Sequence, residues 1–217
     1  MSLAGKNILV TAGPTWTAVD KVRVLTSVFS GETGLRIARH MQDKGANVTL
    51  FMGPGRAKFE TADWTDMNIQ QFFYYHELKE LLETNDLTQF DAVLHSSAVS
   101  DFQSSDVYEG KKSSSSGFSI PLIPTEKLVD NIRAAAPDTF LVKFKLQVGL
   151  NREELHDIAF NSLNASNAQL IVANNLDEMD GEKHQTYLIS PDSSSIPAET
   201  KSALCNLLSE KLEKALS

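Results

Sequence analysis

Residues 6–34 read KNILVTAGPTWTAVDKVRVLTSVFSGETG, and this stretch decides the fold. Residues 7–12 form a short apolar run rich in Ile and Val that stops at Gly13-Pro14, the signature of a buried parallel strand. A second cluster of small residues, Ser30-Gly31-Glu32-Thr33-Gly34, opens a helical pattern with Leu35, Ala38 and Met41 on one face. A strand, a glycine-bearing loop and a helix N-terminus bring backbone N–H groups and the helix dipole together, which suits an anion. The spacing matches neither GxGxxG nor a Walker loop. The local pattern leaves two readings open, a ligand site or a tight connection with no ligand.

Working outward, the helix from residue 32 to 44 ends at Gly45, and residues 47–51 give a second strand before Gly53-Pro54-Gly55. Strand, helix, strand in so short a span is a βαβ unit with a right-handed crossover. The pattern continues with strands at 69–74 and 91–95 around a helix at 75–83. After a polar excursion it resumes with a helix at 125–135, a strand at 140–146, a helix capped by Asn151 and reaching 163, and a strand at 170–173. A late strand at 185–190 and a final amphipathic helix at 198–216 complete the chain. Residues 103–119 break the rhythm: GKKSSSSG is polar and serine-rich and reads as a mobile loop, with 118–122 as the returning half of a hairpin or arm. The expectation is an α/β, Rossmann-like, doubly wound and mainly parallel sheet, one nucleotide-binding domain over 1–217 with a flap at about 103–122.

The chain of 217 residues has ordinary hydrophobic (41%) and charged (22%) content for a globular domain of this size. A net charge of −8 argues against a general nucleic-acid binder, while leaving room for a local basic pocket. The single cysteine, Cys205, cannot form an intrachain disulfide or a CxxC metal site, and its place in the last helical pattern suits a small buried hydrophobe. A strand begins almost at once where a secretory leader would stand, and no apolar run is long enough to span a membrane, so a cytoplasmic protein is expected.

In an open parallel sheet, ligands sit beyond the carboxyl ends of the strands. Those ends collect residues 11–15, 96–102, 144–146 and Asn174-Asn175, mostly small residues with the polar groups of Asp101, Asn174 and Asn175 among them. Positive charge comes from Arg23 in the first loop, Lys111 and Lys112 in the flap, and Lys143 and Lys145 at one strand end. Alternation places Lys143 and Lys145 on one side of their strand and Phe144 on the other, which makes that side wet or ligand-facing. The five histidines show no HExxH or paired-ligand spacing, so no metal site is expected, and no GxSxG elbow occurs. A nicotinamide-dependent oxidoreductase would need a GxGxxG loop and an acidic ribose partner, and neither is present.

Eight segments in order carry a resemblance: ILVTAGPT at 8–15, VDKVRVLT at 19–26, SGETG at 30–34, HSSAVSDF at 95–102, GKKSS at 110–114, FKL at 144–146, EELHDIAFNSL at 153–163 and LIVANN at 170–175. Over nearly its whole length the chain resembles the phosphopantothenate–cysteine ligases (phosphopantothenoylcysteine synthetases) of coenzyme A biosynthesis, the stand-alone bacterial form above all. The resemblance implies a ligase that joins 4′-phosphopantothenate and cysteine through an acyl-cytidylate, with CTP preferred over ATP as co-substrate, Mg²⁺ beside it, and a homodimer in which the flap can complete a neighbour's site. It implies catalytic roles for Arg23, Ser27 and the flap lysine, Lys111, with Lys112 as the alternative. It places phosphate at Ser30, Gly31 and Gly34, and nucleotide near Gly13, Thr15, Ala98, Asp101, Phe144, Lys145 and Asn174. Thr125, Glu126, Lys127 and Leu128 would pass close to the same ligand.

The departures from the family pattern fall at the same site. Ser27 stands where an asparagine is usual, Thr17 where glutamate is frequent, Lys143 where glycine is usual, and Ser162 and Ser166 where fused members carry lysines. These changes motivate a second reading, a diverged nucleotide-binding protein of the same fold without ligase activity.

Overall fold

The computed structural model describes residues 2–55, 67–180 and 183–217. The leading run forms β1 (Asn7–Ala12), followed by a small β-ribbon of β2 (Thr17–Ala18) and β3 (Val24–Leu25), and then α1 (Glu32–Asp43). β4 (Asn47–Met52), β5 (Asn68–Gln71), α2 (Tyr75–Thr84) and β6 (Ala92–His95) follow, with a 3₁₀ turn at Leu87–Gln89. The excursion is a hairpin of β7 (Phe102–Ser104) and β8 (Leu122–Pro124), and α3 (Leu128–Ala135), β9 (Phe140–Gln147) and α4 (Arg152–Ala165) resume the alternation. The chain closes with β10 (Leu170–Asp180), β11 (Lys183–Ile189), β12 (Ser195–Thr200) and α5 (Lys201–Ala215).

The main sheet has the order β12-β11-β10-β9-β6-β1-β4-β5. Every pairing from β10 to β5 is parallel, while β10–β11 and β11–β12 are antiparallel. The expected α/β Rossmann-like sheet is therefore borne out, with an antiparallel edge added. Alternation along β1 sends Ile8, Val10 and Ala12 to the face covered by α1 and α5, and Leu9 to the face covered by α2, α3 and α4. The connection after β1 runs to one face and those after β6 and β9 to the other, so β1 and β6 flank a topological switch point.

Two boundaries differ from the sequence reading. The last helix starts at Lys201, because residues 195–200 pair with β11 as a strand and the Thr200 side chain then accepts from Ala203 N at 3.1 Å as an N-cap. Residues 125–127 lie outside the helix, with Lys127 extended as its N-cap, since Thr125 N donates to Asp101 O (3.0 Å) and its hydroxyl to Ser100 O (2.7 Å). Cys205 is buried on α5, as expected of a small hydrophobe, and burial pushes its thiol up to about 11. Among the described residues, no helix is long and apolar enough to cross a membrane.

Candidate functional site

Beyond the carboxyl ends of β1, β6, β9 and β10 lies a cavity of about 890 Å³. The loops after β1 and β6 are stitched together at its floor. Gly13, at φ +82°, turns the chain so that its carbonyl accepts from Ala98 N (3.0 Å), and Thr15 N donates to Ala98 O (3.3 Å). The buried Thr15 hydroxyl accepts from Ser100 N at 2.9 Å, and Thr17 donates to Phe102 O at 2.9 Å. These small hydroxyl residues fix the backbone that a ligand would approach.

On one side, α1 enters through Ser30-Gly31-Glu32. Gly31, the N-cap, is left-handed and brings no side chain, the Ser30 hydroxyl accepts from Glu32 N at 3.3 Å, and the first turn lines the cavity with the positive end of the dipole. Gly34 packs so tightly on β1 that a Cβ there would stand 2.6 Å from Ala12 Cβ. Glu32, in that first turn, takes Lys201 at 2.8 Å and Arg36 at 2.6 Å. The Lys201 hydrogen bond, with Arg36 assisting, holds its carboxyl below the usual range despite partial burial. His184 lies buried beside this pair, and burial together with the Lys201 charge lowers it to about 4.

On the other side, His95 ends β6 and shares a 2.9 Å hydrogen bond with the Thr11 hydroxyl through Nδ1. Full burial, with the Lys143 charge adding to it, lowers His95 to about 4, so it is neutral at pH 7. Lys143 lies opposite His95 on β9, and its ammonium donates to Ser162 O (2.8 Å) and Ser166 Oγ (2.5 Å) on α4. Asp101 is bridged by Lys127 Nζ at 2.5 Å on the exposed rim.

The fold gathers most of the residues named from sequence. Gly13, Thr15, Ser27, Ser30, Gly31 and Gly34 line the cavity from the first loop. Ala98 and Asp101 line it from the loop after β6, and Thr125, Glu126, Lys127 and Leu128 from the entry to α3. Phe144, Lys145 and Asn174 close the far wall. Ser27 lines the cavity, and its Oγ is buried with no hydrogen-bond partner among the described residues.

Arg23, Lys111 and Lys112 do not join that lining within one chain. The Arg23 guanidinium is held by Asp20 (Nε 2.9 Å, Nη2 2.5 Å) and donates to Lys112 O at 2.6 Å. Asp20 also accepts from the backbone N–H of Val22, Arg23 and Lys112. The guanidinium first, and then these N–H groups, hold its carboxyl far below the ordinary carboxylate range. The loop expected to be mobile is thus tied at its base, with Lys112 Nζ 5.2 Å from the Tyr108 ring and 5.1 Å from that of Phe118.

Sequence reasoning missed Glu32, His184 and Lys201, because residues 169 apart in the chain meet only through the β10–β11–β12 meander. Among the described residues, no group of three or more His, Cys, Asp or Glu side chains is placed to hold a metal ion.

Residues 3–216 match the family model described as the DNA/pantothenate metabolism flavoprotein C-terminal domain. A coenzyme A biosynthesis bifunctional protein CoaBC of Thermococcus kodakarensis is 32% identical over 99% of this chain and 53% of its own length. The corresponding Methanocaldococcus jannaschii protein is 26% identical over 97% of the chain and 51% of its own length. The chain thus spans about half the length of the curated relatives it matches. A DNA/pantothenate metabolism flavoprotein from Streptococcus pneumoniae superposes with a TM-score of 0.86 at 24% identity, covering 97% of this chain and 100% of that one. A Cab2 mutant in complex with phosphopantothenate-cysteine has the same fold, with a TM-score of 0.76 at 17% identity over 96% of this chain and 87% of that one. The resemblance carried by the eight segments and this match along the chain agree: the protein belongs to the family of DNA/pantothenate metabolism flavoprotein C-terminal domains.

Proposed function

We propose that the protein is a phosphopantothenate–cysteine ligase of coenzyme A biosynthesis, acting as a single nucleotide-binding domain in the cytoplasm. The observation that carries the reading is the cavity at the β1/β6 switch point, walled by the N-terminus of α1 on one side and by lysines on the other. Its volume is of the size that holds a nucleotide-like ligand. A carboxylate will not acylate an amine directly, because its oxygen is a poor leaving group and its charge repels the nucleophile. In the proposed route the carboxylate of 4′-phosphopantothenate attacks the α-phosphate of CTP and pyrophosphate leaves. The cysteine amine then attacks the acyl carbon and expels CMP.

The chain's own part is binding, alignment and charge neutralisation. The first turn of α1, with Ser30, Gly31 and Gly34, would bind phosphate oxygens. Ala98, Asp101, Phe144 and Asn174 would border the nucleotide, and Ser27, with its unpartnered hydroxyl, would donate to the acyl-nucleotide. Mg²⁺ would arrive on the nucleotide's phosphates, which is how this ion is commonly held. Arg23 and Lys111 do not line this cavity within one chain, which supports a homodimer in which the flap serves the neighbouring subunit.

The test is pyrophosphate release. It should require 4′-phosphopantothenate and nucleotide together, CTP should outperform ATP, and cysteine should convert the intermediate to amide. No release at high enzyme concentration with either nucleotide would overturn the reading. Ser27 also supports the second reading, a binding protein without turnover, since it offers one donor over a shorter reach than asparagine. Ser27→Asn should raise the rate of a weakened ligase, whereas nucleotide binding with no gain in turnover would favour the binding protein.

A further inference from the structure

A second cavity, of about 320 Å³, opens against the antiparallel edge of the sheet. Alternation along β10 turns Val172 and Asn174 to the first cavity and Ala173 to the second. The two cavities thus share this strand as a wall and have no lining residue in common. The second exists because the helical layer stops short of the edge. α5 covers the other face of β11 and β12, while α4 packs chiefly on β10. Among the described residues no helix follows α4 over β11 and β12 on its own face. Leu155 of α4, Ala173, and Tyr187 and Ile189 of β11 are all buried and line the space that results. Its volume falls at the lower end of the range that small-molecule sites occupy.

Charge enters at the exposed rim. The Arg152 guanidinium lies over the Tyr187 ring, 5.0 Å from its centroid. A guanidinium so placed still carries five N–H groups in a fixed plane, matched to a carboxylate as two parallel hydrogen bonds. No described residue accepts from them or forms an ion pair with them. Arg23 and Arg133, by contrast, each direct theirs to several protein oxygens. Glu153 also lines the pocket, and Glu154 follows it in the same turn. Two carboxylates beside the rim disfavour a polyanion, so a nucleotide or a phosphorylated ligand does not suit the pocket. His156, at the rim too, is already engaged: its Nε2 donates to Ser193 O at 3.2 Å and its ring stacks on Phe160. A single carboxylate on an apolar body fits what remains. Packing of Arg152 on Tyr187 explains the ring contact, but neither the unfilled volume nor the unused N–H groups.

We propose that this pocket between α4 and β11 is a second ligand site, which takes a small monocarboxylate with an apolar body. Arg152 holds the carboxylate at the rim, and Leu155, Ala173, Tyr187 and Ile189 take the body. The site stands apart from the ligase reading and needs neither nucleotide nor turnover.

The probes are indole-3-acetate and 3-methylbutanoate, each titrated into the full chain with the methyl NMR signals of Leu155, Ala173 and Ile189 as reporters. At least one should shift these signals, with half-saturation at about 1 mM, an affinity open to ligands of this size. The matching amide keeps the body and loses the charge, so it should bind at least about tenfold more weakly, the effect of losing a charge-assisted hydrogen bond. Arg152→Gln should bring the acid down to the level of the amide. Arg152→Lys keeps the charge without the fork and should retain part of the preference. The comparison of acid with amide in the parent needs no variant, so it stands even if a variant fails to fold. Equal binding of acid and amide overturns the proposal, as does an acid preference that survives Arg152→Gln. Shifts confined to the methyl signals of Val172 and Leu128 would put the probe in the first cavity and overturn it as well. If Arg152 only covers Tyr187, Arg152→Gln will lower the melting temperature and leave probe affinity unchanged, which is equally fatal. So is the absence of any shift with both acids.

Discussion

His95 and His184 are buried neutral on opposite walls of the cavity, each lowered to about 4 chiefly by loss of water. The sign of the linkage follows from the unfolded value of 6.5. Above 6.5 both states hold these rings neutral and the stability they allow is fully present. As pH falls from 6.5 toward 4, the unfolded chain takes up protons that the folded chain refuses, and stability is lost. Each ring accounts for about 3 kcal/mol across that window. Denaturant unfolding at a series of pH values should therefore show a slope that His95→Gln reduces, since glutamine keeps a partner for Thr11 but cannot charge. An identical slope in the variant would contradict the assignment of a buried neutral ring.

At the scale of elements, the entry to α1 and the base of the flap are each held by a single close arrangement. Gly34 leaves no room for a methyl group against Ala12, so Gly34→Ala must push α1 off β1. Overpacking of this kind costs about 1–3 kcal/mol, visible as a lower melting temperature, and it should also weaken phosphate binding by displacing the helix N-terminus. A variant that melts at the parent temperature would mean that the helix can slide at no cost. The flap hangs on Asp20, which gathers Arg23 and the Lys112 N–H, while Lys21 N donates to Gly110 O at 3.0 Å. Asp20→Asn removes the charge that holds Arg23 and should make residues 105–121 several times more sensitive to limited proteolysis, with cleavage elsewhere unchanged. Equal cleavage rates would show that the backbone pairing alone secures the flap.

For the whole molecule, the flap and the first loop present apolar side chains to solvent: Val22, Val28, Phe102, Tyr108, Phe118, Leu122 and Ile123 are all exposed. Val28 is 79% exposed, and contiguous apolar surface of this kind marks interaction sites. This is the surface expected to close the proposed homodimer. Light scattering should give twice the chain mass at micromolar concentration, and Phe118→Asp together with Val28→Asp should give the monomer. A parent protein that is monomeric at that concentration would remove the argument that Arg23 and Lys111 serve a neighbouring site.

Local chemistry was enough for the sheet's parallel half. Runs such as ILV at 8–10 and AVL at 92–94 bury both faces of their strands, and Gly45 and Asn151 mark helix ends, so strand and helix alternation was legible along β1 to β10. The collection of small residues at the strand ends followed from the same alternation, because parallel strands point their carboxyl ends the same way. Only the tertiary structure decided what is opposite what. The second half of β12, residues 198–200, was hidden in a helical reading because SIPAET is strand only through its pairing with β11, and the Glu32–Lys201–His184 group exists only because that antiparallel edge folds back to α1. It likewise decided that Lys143 is a buried cation on the cavity wall while Arg23 is bound to Asp20. Sequence order fixes which faces are apolar, but desolvation and ion pairing depend on neighbours brought from far along the chain.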